Sequence, residues 1–286
     1  MRKLTKKQRQ RIIPVRYLYF QIEQKLLRMR WLLPIPTILF ISYIVIGGVL
    51  VRARNYGLSS NSWDALFSVF GNGNLIFFVL NPLYLYLVSD MFLESGIGQL
   101  ALLRVGSRRR WWLSKVLILG LAVFCYTGLN VGIVAMTATF VLPWDNSWSQ
   151  AVLQYPQEFN LNPEALTISS TSAIRWLLLL LSLGWFSMGL LVMCFTLLSN
   201  HYLVGFTAGV IANFSGLVAL RANLPLPYAY LSIHQHLLFN LHSFGDVITP
   251  YPSLPTSIYY WVLWCSILLI VGFKFAHKQD FIHREQ

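Results

Sequence analysis

The sequence predicts an all-α integral membrane protein with six transmembrane helices, and three observations carry that prediction. Hydrophobic residues make up 56% and charged residues 11% of the 286, and mean hydropathy is +0.57, outside the balance of an ordinary soluble domain. Apolar runs at 31–51, 74–92, 112–142, 173–198, 202–220 and 257–276 are each long enough to cross roughly 30 Å of hydrocarbon, which takes about 20 helical residues. The basic residues are distributed unevenly about those runs.

Of 22 Lys and Arg, ten precede the first run, five lie in or beside the loop at 93–111, three lie at or after the end of the last run, and four lie elsewhere. That asymmetry predicts both termini and the 93–111 loop in the cytoplasm. The outer loops are then 52–73, 143–172 and 222–256. The second of these carries Asp145, Glu158 and Glu164 with no basic residue, and the third carries Asp246 alone. The net charge of +12 therefore reports topology and contact with anionic lipid, not nucleic acid.

Residues 1–30 form a cytoplasmic basic segment. About 30 residues precede the first run and no small-residue cleavage site follows it, so the segment reads as retained, not as a signal peptide. Within it Val15, Leu18, Ile22, Leu26 and Met29 share one face of a helix, opposite Gln21, Gln24, Lys25 and Arg28, the pattern of a helix lying among lipid headgroups. Trp31 marks where the chain meets the bilayer and opens the membrane-spanning body, residues 31–276.

Span one carries Pro34, Pro36, Ser42 and Gly47-Gly48. Span two carries Asn81-Pro82, which predicts a kink whose freed carbonyl needs another partner. Asp90, near the cytoplasmic end of span two, is expected to snorkel or to pair with a loop arginine. In the loop itself, Leu93, Ile97, Leu100 and Ala101 recur at helical spacing opposite Glu94, Ser95 and Gln99, predicting a short amphipathic helix. Gly106-Ser107 ends it, and Ser107 is placed to cap a helix that runs through Arg108 to Arg110, Trp111, Trp112 and Lys115 into span three. Those three arginines also suit a membrane anchor that contacts phosphate. In span five, Gly205 and Gly209 form a small-xxx-small pattern followed by Asn213 and Ser215, which permits close helix approach between two copies or within the chain. Residues 277–286 form a cytoplasmic tail.

Chemistry-bearing motifs are few. A phosphate-cradling loop needs Gly-Lys-Ser/Thr, and the sequence contains no Gly-Lys pair, so any ATP hydrolysis comes from another polypeptide. Cys125, Cys194 and Cys265 all fall within apolar spans and match neither a disulfide framework nor a metal site. His234, His236 and His242 form a loose cluster, read as surface or interfacial histidines in preference to a metal site, and no metal is assigned. Asn213-Phe-Ser-Gly216 faintly resembles a serine protease motif. An intramembrane enzyme, metal-dependent or serine protease-like, and a non-transporting membrane scaffold or sensor are the alternative classes. Few charges within the spans argue against an ion-coupled transporter.

Taken in order, Glu94, Gly98, Leu102-Leu103, Ser107-Arg108 and Lys115 resemble the loop between spans two and three of the ABC-2-type (type V) transporter permeases. The resemblance implies that Glu94, Gly98, Leu102, Leu103, Ser107 and Arg108 belong to a coupling helix seated in a cleft of an ABC ATPase. Two ATPase subunits and a second or sister permease would complete the assembly, with ATP and Mg bound by the partner ATPase and no cofactor in this chain. It further implies a conduit and dimer interface drawn from spans one, two and five, which places Asn81, Pro82, Gly205, Gly209 and Asn213 there. The outer segment 222–256, with Pro225, Pro227, Pro250, Pro252 and Pro255, would fold back as short re-entrant helices. The expected activity is export of a hydrophobic or amphipathic peptide, lipid or drug across a bacterial plasma membrane. The aromatics Phe77, Phe78, Tyr84, Tyr86, Phe124 and Tyr126 are expected in the interior.

Overall fold

A computed structural model describes residues 16–93, 107–221, 230–244 and 251–278, and they are overwhelmingly helical. No strand forms among the described residues; the nearest approach is an isolated bridge between Ser243 and Ser253. Each helix begins and ends on local chemistry. Helix α1 (Pro34–Tyr56) has proline in its first turn, where the missing N–H costs nothing. It stops at Gly57, whose φ of 67° lets its N–H and that of Leu58 return to Arg54 O and Ala53 O. Helix α2 (Ser62–Phe70) starts with a capping box in which Asn61 and Asp64 each accept from the other's end of the first turn.

Helix α3 (Gly73–Val88) follows after two residues, bent 54° from α2. It carries a π-helical stretch, Ile76–Leu80, immediately before Asn81-Pro82. Helix α4 (Arg108–Thr139) is the longest, with 32 residues. Beyond it come the short α5 (Gln150–Gln154) and two 3-10 turns, Pro156–Phe159 and Pro163–Thr167. Helix α6 (Ser170–Ser199) is capped by the Ser169 hydroxyl and ends at Asn200, φ 55°, which reverses the chain into α7 (Tyr202–Arg221). A short helix α8 (Ile233–Leu237), a 3-10 turn (Phe239–Leu241) and α9 (Leu254–Lys278) complete the order.

Four of these helices, α1 with the turn before it, α4, α6 and α9, are long and apolar enough to cross a membrane. The bent pair α2–α3 makes a fifth if it is one broken span, and α7 is apolar over Tyr202–Val218 but shorter. The six expected runs thus meet four or five helices that pass on length and composition. Helix α6 is the hub: 67% of its apolar window is buried, against 33%, 33% and 22% for α1, α4 and α9. It packs against α3, α4, α7 and α9, while α1 leans on α4 and α2.

The N-terminal segment inverts one expectation. Residues 16–21 are helical and pass into a π-turn, Ile22–Leu26. The buried side is Tyr17, Gln21, Lys25 and Leu26, whereas Met29 is exposed. Gln21 and Lys25, assigned to the solvent face by apolar periodicity, turn inward because partners inside the fold receive their polar ends.

Candidate functional site

The expected coupling residues Glu94, Gly98, Leu102 and Leu103 lie outside the described residues. Both flanks of that loop are described, and a polar knot joins them. Lys115, on the second turn of α4, is 1% exposed and donates to Met91 O at 2.8 Å and to Gln21 Oε1 at 2.8 Å. Lys25 donates to Asp90 O and Leu93 O, both at 3.0 Å. Two ammonium groups therefore collect backbone carbonyls just past the C-terminus of α3, the end where the helix dipole favours cations. Buried charge at this density is tolerated only with such partners.

Asp90 seals the rim of the knot. Its carboxylate pairs with Arg28 at 2.8 Å and with Arg30. The partners come from the N-terminal segment and not from the loop arginines that sequence position suggested, because the chain before α1 folds across the end of α3. Ser107 does occupy the N-cap of α4 with extended backbone, but its hydroxyl makes no cap bond; its carbonyl accepts from Trp111 N at 3.1 Å. Arg108 donates to His277 O, tying the start of α4 to the end of α9.

A second polar centre lies in the middle of the bundle. Pro82 lacks the N–H that would reach Phe77 O in the π-turn. Asn213 of α7 supplies the missing donor, its Nδ2 lying 2.9 Å from Phe77 O. Its Oδ1 accepts from Asn81 Nδ2 at 2.8 Å, and Asn81 Oδ1 accepts from Trp185 Nε1 at 2.8 Å. Tyr126 closes the same turn from α4 by donating to Leu80 O at 2.8 Å. All four side chains are fully buried. The sequence marked Asn81, Pro82 and Asn213 separately; the structure brings them into one cluster and adds Trp185, which no periodicity distinguishes from core.

Gly205 and Gly209 are used within the chain. A Cβ at Gly205 would strike Thr196 Oγ1 and come 2.5 Å from Val192 O, and one at Gly209 would come 2.6 Å from Leu85 Cδ2. The small-residue stripe thus lets α7 press against α6 and α3. Of the expected interior aromatics, Phe77, Tyr84 and Tyr126 are buried, whereas Phe78, Tyr86 and Phe124 face outward at 50%, 47% and 75% exposure. Alternate faces of a spanning helix meet core and lipid, and composition does not say which.

The histidines are not at the surface. His234, His236 and His242 are all buried, and burial holds their imidazoles below the usual range, His234 to about 3 and His242 to about 4. His234 stacks on Phe77 with ring centroids 3.8 Å apart. Among the described residues no group of three or more His, Cys, Asp or Glu is arranged to hold a metal ion. Ser215 is exposed and bonds back to Ala212 O, away from those imidazoles. The cysteines are free thiols, Cys125 exposed and Cys194 and Cys265 buried.

The fold and these centres define an all-helical chain built like a multi-pass membrane protein, with polar residues gathered at one helix end and at one helix break. It is similar to an uncharacterised protein of Halalkalibacterium halodurans, 23% identical over 241 residues that cover 80% of this chain and 82% of the relative. No family model and no solved structure matches the chain.

Proposed function

We propose that this protein is the membrane-spanning permease subunit of an ATP-binding cassette exporter. It moves a hydrophobic or amphipathic substrate across the bacterial plasma membrane and draws energy from two separate ATPase subunits. In this reading α1, α3, α4, α6, α7 and α9 are six spans, both termini are cytoplasmic, and a second permease copy or a sister permease completes the conduit.

The observation that supports the reading best is the polar knot around Lys115. The loop bearing Glu94, Gly98, Leu102 and Leu103 begins directly after Leu93, whose carbonyl Lys25 holds, and leads back to α4, whose Lys115 holds Met91. A load applied to that loop reaches the N-terminal segment, α3 and α4 at once. Helix α3 then carries it to the break at Asn81-Pro82, where Asn213 links it to α7. A rigid attachment below a broken helix suits conversion of ATPase closure into a change between packed arrangements.

The test is co-expression with an ATP-binding cassette ATPase sought among the neighbouring genes, purification by a tag on this chain, and ATP hydrolysis in nanodiscs with candidate amphipathic compounds. The ATPase should co-purify, and Glu94→Lys should abolish substrate-stimulated hydrolysis while leaving membrane insertion intact. Purification of this chain with no ATPase bound, or unchanged stimulation in Glu94→Lys, would count against the proposal.

A further inference from the structure

The 230–244 segment enters the bundle instead of lying over it. Leu237 fills the notch left by Gly184 on α6, and the His234 ring fills the one left by Gly216 on α7. Trp261 Nε1 donates to His236 O at 3.0 Å, and Ser243 N donates to Pro252 O at 3.1 Å, fastening the segment to α9 and to the turn before it. At its centre Ser257, the fourth residue of α9, stands between two imidazoles.

We propose that His236, Ser257 and His242 form one proton-binding site that clamps this segment to the head of α9 when the proton is present. The argument is a count of hydrogens. His236 Nε2 lies 2.7 Å from Tyr230 O, and His242 Nδ1 lies 2.9 Å from Leu238 O. A carbonyl only accepts, so each of those nitrogens carries the ring's hydrogen. Neutral rings then leave His236 Nδ1 and His242 Nε2 bare, and both lie 2.8 Å from Ser257 Oγ. Four contacts need four hydrogens, while two neutral imidazoles and one hydroxyl supply three. With both rings neutral, one 2.8 Å contact sets lone pair against lone pair.

A single added proton completes the chain. His242 then donates to Leu238 O and to Ser257, Ser257 donates to His236, and His236 donates to Tyr230 O. Ser257 and His242 are fully buried and His236 is 1% exposed, so an unmade bond here is costly. Burial opposes the charge and holds both imidazoles below their usual range, with His236 adding to the effect on His242. Hence the site takes one proton, shared, and not two. Among the described residues, these titratable groups stand nearby. The Tyr260 ring stacks on His236 at 3.9 Å, His234 lies two residues away, and Glu164 reaches the segment by accepting from Phe244 N at 3.3 Å. On α6 and α7, Gly184 abuts Leu237 and Gly216 abuts His234, and neither glycine titrates. The site is independent of the transporter reading.

The test is a titration of the full chain in nanodiscs with nitrogen-15 labelled histidine, read on the imidazole nitrogens by NMR from about pH 8 to about pH 4. In the wild type, His236 and His242 should shift together through one midpoint with uptake of one proton, and amide exchange across 233–244 should slow as the site loads. In Ser257→Ala the two rings should part into separate midpoints. Independent midpoints in the wild type, or two rings that stay neutral to about pH 4 with the segment still protected, would overturn the proposal without any variant having to fold.

Discussion

Asn81 and Asn213, 132 residues apart in sequence, meet side chain to side chain at 2.8 Å inside the bundle, and Asn213 also donates to the carbonyl that Pro82 leaves free. Asn213→Leu should therefore strand Phe77 O and Asn81 Nδ2, lowering stability by roughly 1–3 kcal/mol. Pro82→Ala restores a backbone N–H at the break. In that background the cost of Asn213→Leu should shrink by at least about 0.5 kcal/mol, a coupling readable in a double-mutant cycle of thermal midpoints in detergent. Strict additivity would show that Asn213 does not serve the proline break.

Gly205 sits where a side chain meets Thr196 and the Val192 carbonyl. Gly205→Leu should force α7 away from α6 and cost roughly 1–3 kcal/mol, visible as a lower melting temperature at unchanged oligomeric size. A dimer that dissociates while the protomer melts as before would move this glycine to an interface between copies.

Lys115 holds both Met91 O and Gln21 Oε1. Lys115→Met should release the end of α3 and the N-terminal segment, destabilising by about 1–3 kcal/mol and opening residues 16–33 to limited proteolysis. Lys115→Arg, which keeps a donor and the charge, should restore most of the protection. Equal protection in all three proteins would remove the knot from the account.

Asp64 caps α2 while fully buried, and α2 alone, with nine residues, is too short to cross a membrane. Burial raises its carboxyl from 3.8 to about 6, against the opposing bonds from Asn61 and Ser149. A folded value above the unfolded one means a contribution that is full below pH 3.8 and lost as pH rises through about 6. The wild type should therefore lose roughly 3 kcal/mol between those limits relative to Asp64→Asn, which stays neutral and should lack that limb. Melting temperatures of both proteins measured from about pH 4 to about pH 8 decide it, and parallel curves would refute it.

Much of the fold was legible because spanning helices are set by length and apolarity. Four of the six expected runs coincide with α1, α4, α6 and α9, the run at 74–92 meets α3 alone, and the run at 202–220 meets the shorter α7, while α2 falls within the expected outer loop 52–73. The break at Asn81-Pro82 was legible as a broken ladder. Its rescuer was not, since nothing local to Asn213 points to Phe77. The same limit hid Trp185, and it led Gln21 and Lys25 to be placed on a wet face: helical periodicity counts apolar residues and is blind to a polar side chain whose partner lies on a distant helix.

The sequence by itself determined the helical, membrane-type make-up, the absence of a Gly-Lys phosphate loop and the need of the Pro82 kink for an outside donor, because each follows from composition, bond chemistry or short-range spacing. Only the tertiary structure decided that Asp90 pairs with Arg28 and Arg30, that Gly205 faces α6, and that three histidines are buried with Ser257 between two of them. Those facts depend on which helices are neighbours. That choice is made by side-chain packing between separate segments, 15 and 21 residues apart for the two histidine contacts and 60 and 62 for the Asp90 pairs, which no local pattern encodes.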